Sequence, residues 1–269
     1  LRENGEKISF VPTMGALHEG HLELVKKAYE LACSVVVSIF VNPAQFGKNE
    51  DFSRYPRDLD GDMKKIGQAW IDAGAGKEPV IFFPQADEIY PKGYETYVSL
   101  ERLSEHLCGL TRHGHFRGVA TVVLKLFNIV QPHFAVFGEK DFQQIQVIKK
   151  MVRDLNVPVE IIPYPTVREP DGLAMSSRNQ YLTPDERKRA AVIYAQLKKA
   201  GERLLGEKSS IEAIVKSCIL EIESVGGIVE YFEVCDKETL KSLEEFKGGA
   251  VIAVAARFGA TRLIDNIIV

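Results

Sequence analysis

Cysteine is scarce. Cys33, Cys108, Cys218 and Cys235 are the only 4 in 269 residues, and none forms a CxxC pair or a Cys-His grouping. That spacing excludes a disulfide framework and a structural zinc site, and it suits a reducing compartment. An excess of charge is lacking too: 34 Lys and Arg face 37 Asp and Glu, a formal net charge of −3. Bulk electrostatics therefore exclude a polyanion-binding protein, while a local basic patch stays open. No apolar run approaches the roughly 18–20 residues that cross a membrane. The opening Leu1–Glu6 is polar and does not read as a signal peptide. Repeats and low-complexity tracts are also absent. These absences leave a globular protein, expected in the cytoplasm, with neither nucleic acid nor membrane as partner.

What is present is ordinary for a folded chain: 45% hydrophobic and 26% charged residues, enough apolar surface to argue against disorder. The length suits one large domain or two modest ones. Residues 8–12 read as a buried strand, and Leu22, Val25, Tyr29 and Ala32 then recur at helical spacing. Val35–Val41, rich in β-branched residues, reads as a second strand. Strand, helix and strand in so short a span make a βαβ unit, whose parallel pair implies a covered sheet.

The theme recurs. Val80–Phe83, Ala135–Phe137 and Val159–Ile162 read as strands. Helices are marked by Val119, Val122, Leu126 and Ile129, and by Phe142, Ile145, Ile148 and Val152. Residues 1–166 are thus expected to form a Rossmann-like, doubly wound α/β domain. After the connector bearing Pro163, Pro165 and Pro170 come two helices, patterned at Ile193, Leu197, Ala200 and Leu204 and at Ile211, Ile214, Val215, Cys218 and Ile222. Ile228–Val234, Val251–Arg257 and Arg262–Ile268 follow as antiparallel strands. Residues 167–269 are expected to form a smaller α+β domain.

Three stretches carry chemistry. At the first strand-to-helix junction stands Met14-Gly-Ala-Leu-His18-Glu-Gly-His21. Histidines three apart face the same way on a helix, and a helix N-terminus already offers free N–H groups and partial positive charge to an anion. Gly15 and Gly20 allow close backbone approach. Two histidines can equally well just cap a helix, but open α/β sheets bind ligands at this edge. Gly138-Glu-Lys140-Asp141 lies at another such junction, with Gln143 and Gln144 on the following turn. Arg168–Asn179 is a polar connector with a turn at Asp171-Gly172, two hydroxyls at Ser176 and Ser177, and a guanidinium at Arg178. Such a segment suits a lid over a polyphosphate, or a solvated linker.

Taken together, five stretches resemble the pantoate–β-alanine ligase family of the HxGH nucleotidyltransferase superfamily: Val11–His21, Phe40–Phe46, His115–Asn128, Val136–Gln144 and Val167–Leu182. The HxGH element is shared by several activities; the other four in this order single out the pantoate family. The resemblance implies ATP-dependent condensation of (R)-pantoate with β-alanine, through a pantoyl adenylate, giving pantothenate, AMP and diphosphate. It implies that His18, His21, Lys140 and Arg178 serve catalysis, with His21 as proton donor. It places ATP against Met14, Gly15, Ala16, Leu17, His18, Glu19, Gly20 and His21, then Gly138, Glu139, Lys140 and Asp141. Val167, Met175, Ser176, Ser177 and Arg178 complete that set, and residues 167–269 act as a lid. Gln45 and Gln144 would hold pantoate, Gln45 also lying beside β-alanine. Mg2+ would arrive with ATP; Asp60 and Asp62 are acidic neighbours to which no ligation is assigned, so the metal ligands stay unknown. A homodimer is implied.

The sequence departs from the family in three places. It starts later than family members usually do, so a leading strand and part of a helix are expected to be missing. Residues 70–79 look longer than usual; their Gly-Ala-Gly-Lys77 invites a P-loop reading, but the frame fails at Ile71 and Glu78. His113 stands where the family commonly has proline and reads as incidental. Rival readings are another adenylyl- or cytidylyl-transferase, against which Gln45 and Gln144 argue, and a nucleotide-binding regulatory module, against which the four cationic residues argue.

Overall fold

The computed structural model describes residues 1–48, 50–206 and 210–269. Its first half alternates strand and helix. The elements are β1 (Ile8–Thr13), α1 (Glu19–Leu31), β2 (Ser34–Ile39), α2 (Leu59–Asp72), β3 (Val80–Phe82), α3 (Ala86–Ile89), α4 (Cys108–Thr111), α5 (His115–Val130), β4 (Phe134–Gly138), α6 (Phe142–Asp154) and β5 (Glu160–Tyr164). The second half holds α7 (Pro184–Ala190), α8 (Val192–Gly206), α9 (Ile211–Ser224), β6 (Ile228–Asp236), β7 (Ala250–Phe258) and β8 (Thr261–Ile268).

β1 to β5 form a parallel five-stranded sheet in the order β3-β2-β1-β4-β5. Side chains alternate across it, as a period of two requires. Val11, Val35, Val37 and Val136 face α1 and α2, while Phe10, Val36, Ala135 and Phe137 face α5 and α6. The order reverses between β1 and β4, which opens a crevice at their carboxyl ends where two neighbouring loops leave in opposite directions. The doubly wound α/β fold is as the hydrophobic pattern predicts.

The smaller sheet is antiparallel, in the order β6-β7-β8, and it is a middle layer. Ala250, Ile252, Val254 and Ala256 face α8 and α9, whereas Val251 and Ala253 join the core of the first half. Polar contacts cross the same seam: Tyr231 Oη lies 3.1 Å from Cys108 Sγ. Within the second half, Arg168 of the connector donates to Asp265 through two nitrogens, at 2.6 and 3.0 Å, and lies over Tyr194 with its guanidinium carbon 3.7 Å from the ring centre.

Three sequence expectations are revised. α2 is a full helix over residues where the apolar pattern predicts no element; Asp58 caps it by accepting from the Gly61 N–H at 3.0 Å. Trp70 and Ile71 belong to that helix, so the segment at 70–79 is a helix end and turn. Ile129 is 52% exposed rather than buried, because it sits in the last turn of α5, just before Gln131 breaks the helix with a left-handed backbone.

Candidate active site

A cleft of about 220 Å³ opens at the carboxyl edge of the parallel sheet. Its walls come from the loops after β1, β2, β4 and β5 and from the connector to the second half. His18, His21, Lys140 and Arg178, far apart along the chain, all line it. So do Met14, Gly20, Gln45, Gly138, Asp141, Gln144, Val167, Met175, Ser176 and Ser177.

His18 is the N-cap of α1 and His21 its third residue; the rings lie 4.1 Å apart between centres, tilted by 42°. The His18 N–H donates to His21 Nδ1 at 3.3 Å. Since Nδ1 accepts, the proton of a neutral His21 sits on Nε2, the nitrogen free to donate to a ligand. Burial holds His21 down at about 4, reinforced by the ammonium of Lys140. Burial and the neighbouring His21 push His18 to about 2. Both rings are neutral donors near pH 7. His18 Nδ1 is buried without a hydrogen-bond partner. Gly20 must stay small: a Cβ there would lie 3.0 Å from the His18 ring.

Gly15, Ala16, Leu17, Glu19 and Glu139, expected at the nucleotide, do not line the cleft. The backbone of the first loop has other partners. Asp62, buried on α2, accepts from the Ala16 N–H at 2.9 Å and the Leu17 N–H at 2.7 Å. Lys65, one turn further along α2, donates to the Leu17 carbonyl at 2.7 Å. Gly15 adopts a φ of +78°, and a Cβ there would approach Asp62 Oδ2 to 2.9 Å. Asp62 is thus a brace for the loop. Glu19 is exposed and pairs with Lys26 at 3.4 Å. The carbonyls of Glu139 and Lys140 each accept from Asn266 Nδ2 at 2.9 Å, so β8 fixes the turn that presents Lys140. Lys140 itself lies 3.7 Å from Asp141.

Gln45 follows β2 in a short 3-10 turn. Buried Asn42 donates to its Oε1 at 2.9 Å and is oriented in turn by Tyr90 Oη at 2.8 Å. Gly118 on α5 lets that turn approach, since a Cβ there would collide with the Ala44 carbonyl oxygen. Gln144 faces the cleft, but its neighbour Gln143 turns away. Gln143 accepts from the Cys108 N–H at 3.1 Å and donates to the carbonyls of Leu103 and His106. Sequence reasoning missed Asn42, Tyr55, Arg112 and His115 as lining residues. Asn42 and His115 lie inside two of the diagnostic stretches, and that position was the available signal. His113, read as incidental, does not line the cleft. Among the described residues no group of three or more His, Cys, Asp or Glu gathers as metal ligands would.

A parallel sheet with its crevice at the strand-order reversal, and an H-x-G-H element set at that crevice, define a Rossmann-like enzyme of the nucleotidyl-transferring kind. The sequence profile described as pantoate-beta-alanine ligase matches residues 1–268, and the chain belongs to that family. It is 52% identical over 267 residues to the pantothenate synthetase of Desulfatibacillum aliphaticivorans, covering 99% of this chain and 92% of that one. The crystal structure of pantothenate synthetase from Thermus thermophilus superimposes with a TM-score of 0.91 at 45% identity, covering 97% of this chain and 93% of the other. The pantoate-beta-alanine ligase of Francisella tularensis, complexed with beta-gamma ATP and beta-alanine, matches with a TM-score of 0.80 at 36% identity, over 98% of this chain and 90% of that one.

Proposed function

We propose that this chain condenses (R)-pantoate with β-alanine at the expense of ATP. A pantoate carboxylate oxygen bonds to the α-phosphorus, and the bond from that phosphorus to the bridging oxygen breaks, so diphosphate leaves with the electron pair. The β-alanine nitrogen then attacks the acyl carbon of pantoyl adenylate; the C–O bond to AMP breaks and the nitrogen loses a proton. The observation that carries this reading is the convergence of His18, His21, Lys140 and Arg178 in one cleft that also holds Gln45 and Gln144. Negative charge builds on the α-phosphate and the departing diphosphate, so donors fixed in advance contribute most to rate. In this reading His18 and His21 donate to phosphate oxygens, and Lys140 and Arg178 balance their charge. Met14, Gly138, Val167 and Met175 line the nucleotide, with Ser176 and Ser177 donating, while Gln45 and Gln144 hold pantoate by its hydroxyls.

Magnesium comes in on the triphosphate as part of the substrate. Such ions are held by phosphate oxygens and one or two carboxylates; Asp141 is the carboxylate among the described lining residues. Residues 167–269 act as the lid over residues 1–166. Supporting this, Ser177 Oγ lies 3.3 Å from Tyr55 Oη, and Tyr181 Oη donates to the Arg54 carbonyl at 3.0 Å. The enzyme works as a homodimer in the cytoplasm, a compartment that its free thiols Cys33, Cys108, Cys218 and Cys235 fit. The test supplies ATP, pantoate and β-alanine together and identifies the products. AMP, diphosphate and pantothenate are expected; ADP and phosphate would overturn the mechanism.

A further inference from the structure

Glu50 and Asp51 are neighbours in sequence, and each grips a different arginine of the cleft. Glu50 accepts from Arg112 twice, Nε to Oε1 at 2.8 Å and Nη2 to Oε2 at 2.6 Å. Asp51 accepts from Arg178 twice, from Nε and from Nη2, each at 2.9 Å. A two-point grip fixes the plane of a guanidinium and so decides where its remaining N–H groups point.

From Arg112 the chain of bonds continues. Its Nη1 lies 3.0 Å from His115 Nε2, and His115 Nδ1 lies 2.9 Å from the Gln45 carbonyl oxygen. A guanidinium only donates, so Nε2 accepts; the imidazole proton then sits on Nδ1 and donates to that carbonyl. Direction is unbroken from the Glu50 carboxylate to the backbone of Gln45. On the Arg178 side no such relay runs on among the described residues. With Nε and Nη2 engaged by Asp51, the donors left for a phosphate are chiefly those on Nη1.

We propose that Glu50 and Asp51 are positioning residues that set the two ends of the cleft separately: Glu50 orders the pantoate end through Arg112, His115 and Gln45, and Asp51 orders the triphosphate end through Arg178. The proposal rests on the reading that Gln45 holds pantoate and Arg178 the phosphates. A residue that merely supported the fold would weaken both substrates together; these two carboxylates divide them.

The experiment measures steady-state kinetics of the full chain in each substrate for Glu50→Gln and Asp51→Asn. Glu50→Gln should raise KM for pantoate about 10-fold and leave that for ATP within about twofold. Asp51→Asn should lower kcat/KM for ATP about 10-fold and spare KM for pantoate. Arg112→Lys should copy Glu50→Gln, because an ammonium cannot hold the carboxylate and the imidazole in one plane. Nitrogen-15 NMR of His115 supplies a readout that folding alone does not move: the Nδ1–H form in the parent and in Asp51→Asn, a tautomer mixture in Glu50→Gln. Equal shifts in both substrates, or an unmoved His115 signal in Glu50→Gln, would overturn the proposal. Gln45→Ala with an unchanged KM for pantoate is a different failure, since it removes Gln45 itself from the substrate.

Discussion

A single backbone N–H, that of His18, decides which nitrogen of a neutral His21 carries the proton. His21→Ala should therefore slow adenylate formation by on the order of 10²–10³-fold with only a modest change in ATP binding. Rapid-quench single-turnover measurements check this, and an unchanged first step would remove His21 from the chemistry. The same burial sets a pH dependence. His18 is held at about 2, and His21 and His115 at about 4, each chiefly by burial. An unfolded histidine titrates at about pH 6.5. Between about 6.5 and about 4 the unfolded chain binds more protons than the folded one, so stability is complete above about 6.5 and declines as pH falls. A triphosphate held by His18 and His21, as proposed, would favour protonated imidazole, so ATP should raise Tm more at pH 5.5 than at pH 7.5. Scanning calorimetry with and without ATP reads the difference; equal shifts would contradict it.

α2 contributes nothing to the cleft surface, yet it holds the first loop in shape. Asp62 and Lys65, three apart and so on one side of the helix, grip consecutive residues of the loop. Asp62→Ala removes one acceptor from two N–H groups and should cost about 1–3 kcal/mol of stability. It should also weaken ATP binding, because Ala16 and Leu17 set the approach of His18. Urea unfolding and equilibrium ATP binding measure the two effects, and a variant that kept full ATP affinity would separate α2 from the site. β8 has the matching role on the far wall, where Asn266 fixes the turn bearing Lys140.

The two sheets share a core, because Val251 and Ala253 of the smaller one pack with residues of α5 and α6. Heat should therefore unfold the chain in one calorimetric transition; two separable transitions would show halves that fold alone. Within the smaller half, Arg168 ties the connector to Asp265 of β8, whose side chain is 2% exposed. Arg168→Ala leaves that carboxylate buried without its counter-ion, at a cost of about 3–5 kcal/mol. Chemical denaturation measures it, and a loss below about 1 kcal/mol would mean that water reaches Asp265.

By itself the sequence determined the parallel sheet, the antiparallel hairpin around Gly259 and the five stretches that name the family. Those features are local: a strand buried on both faces needs a continuous apolar run, and a motif needs its own spacing. α2 escaped because its buried stripe includes Asp62, a polar residue in a core position, so the apolar period is broken there. Only the tertiary structure decided that Asp62 braces a loop, that Asn266 orients Lys140, and that Glu50 and Asp51 hold separate arginines. Each of these pairs joins residues far apart along the chain, and no periodicity records a partner that only folding brings within about 3 Å.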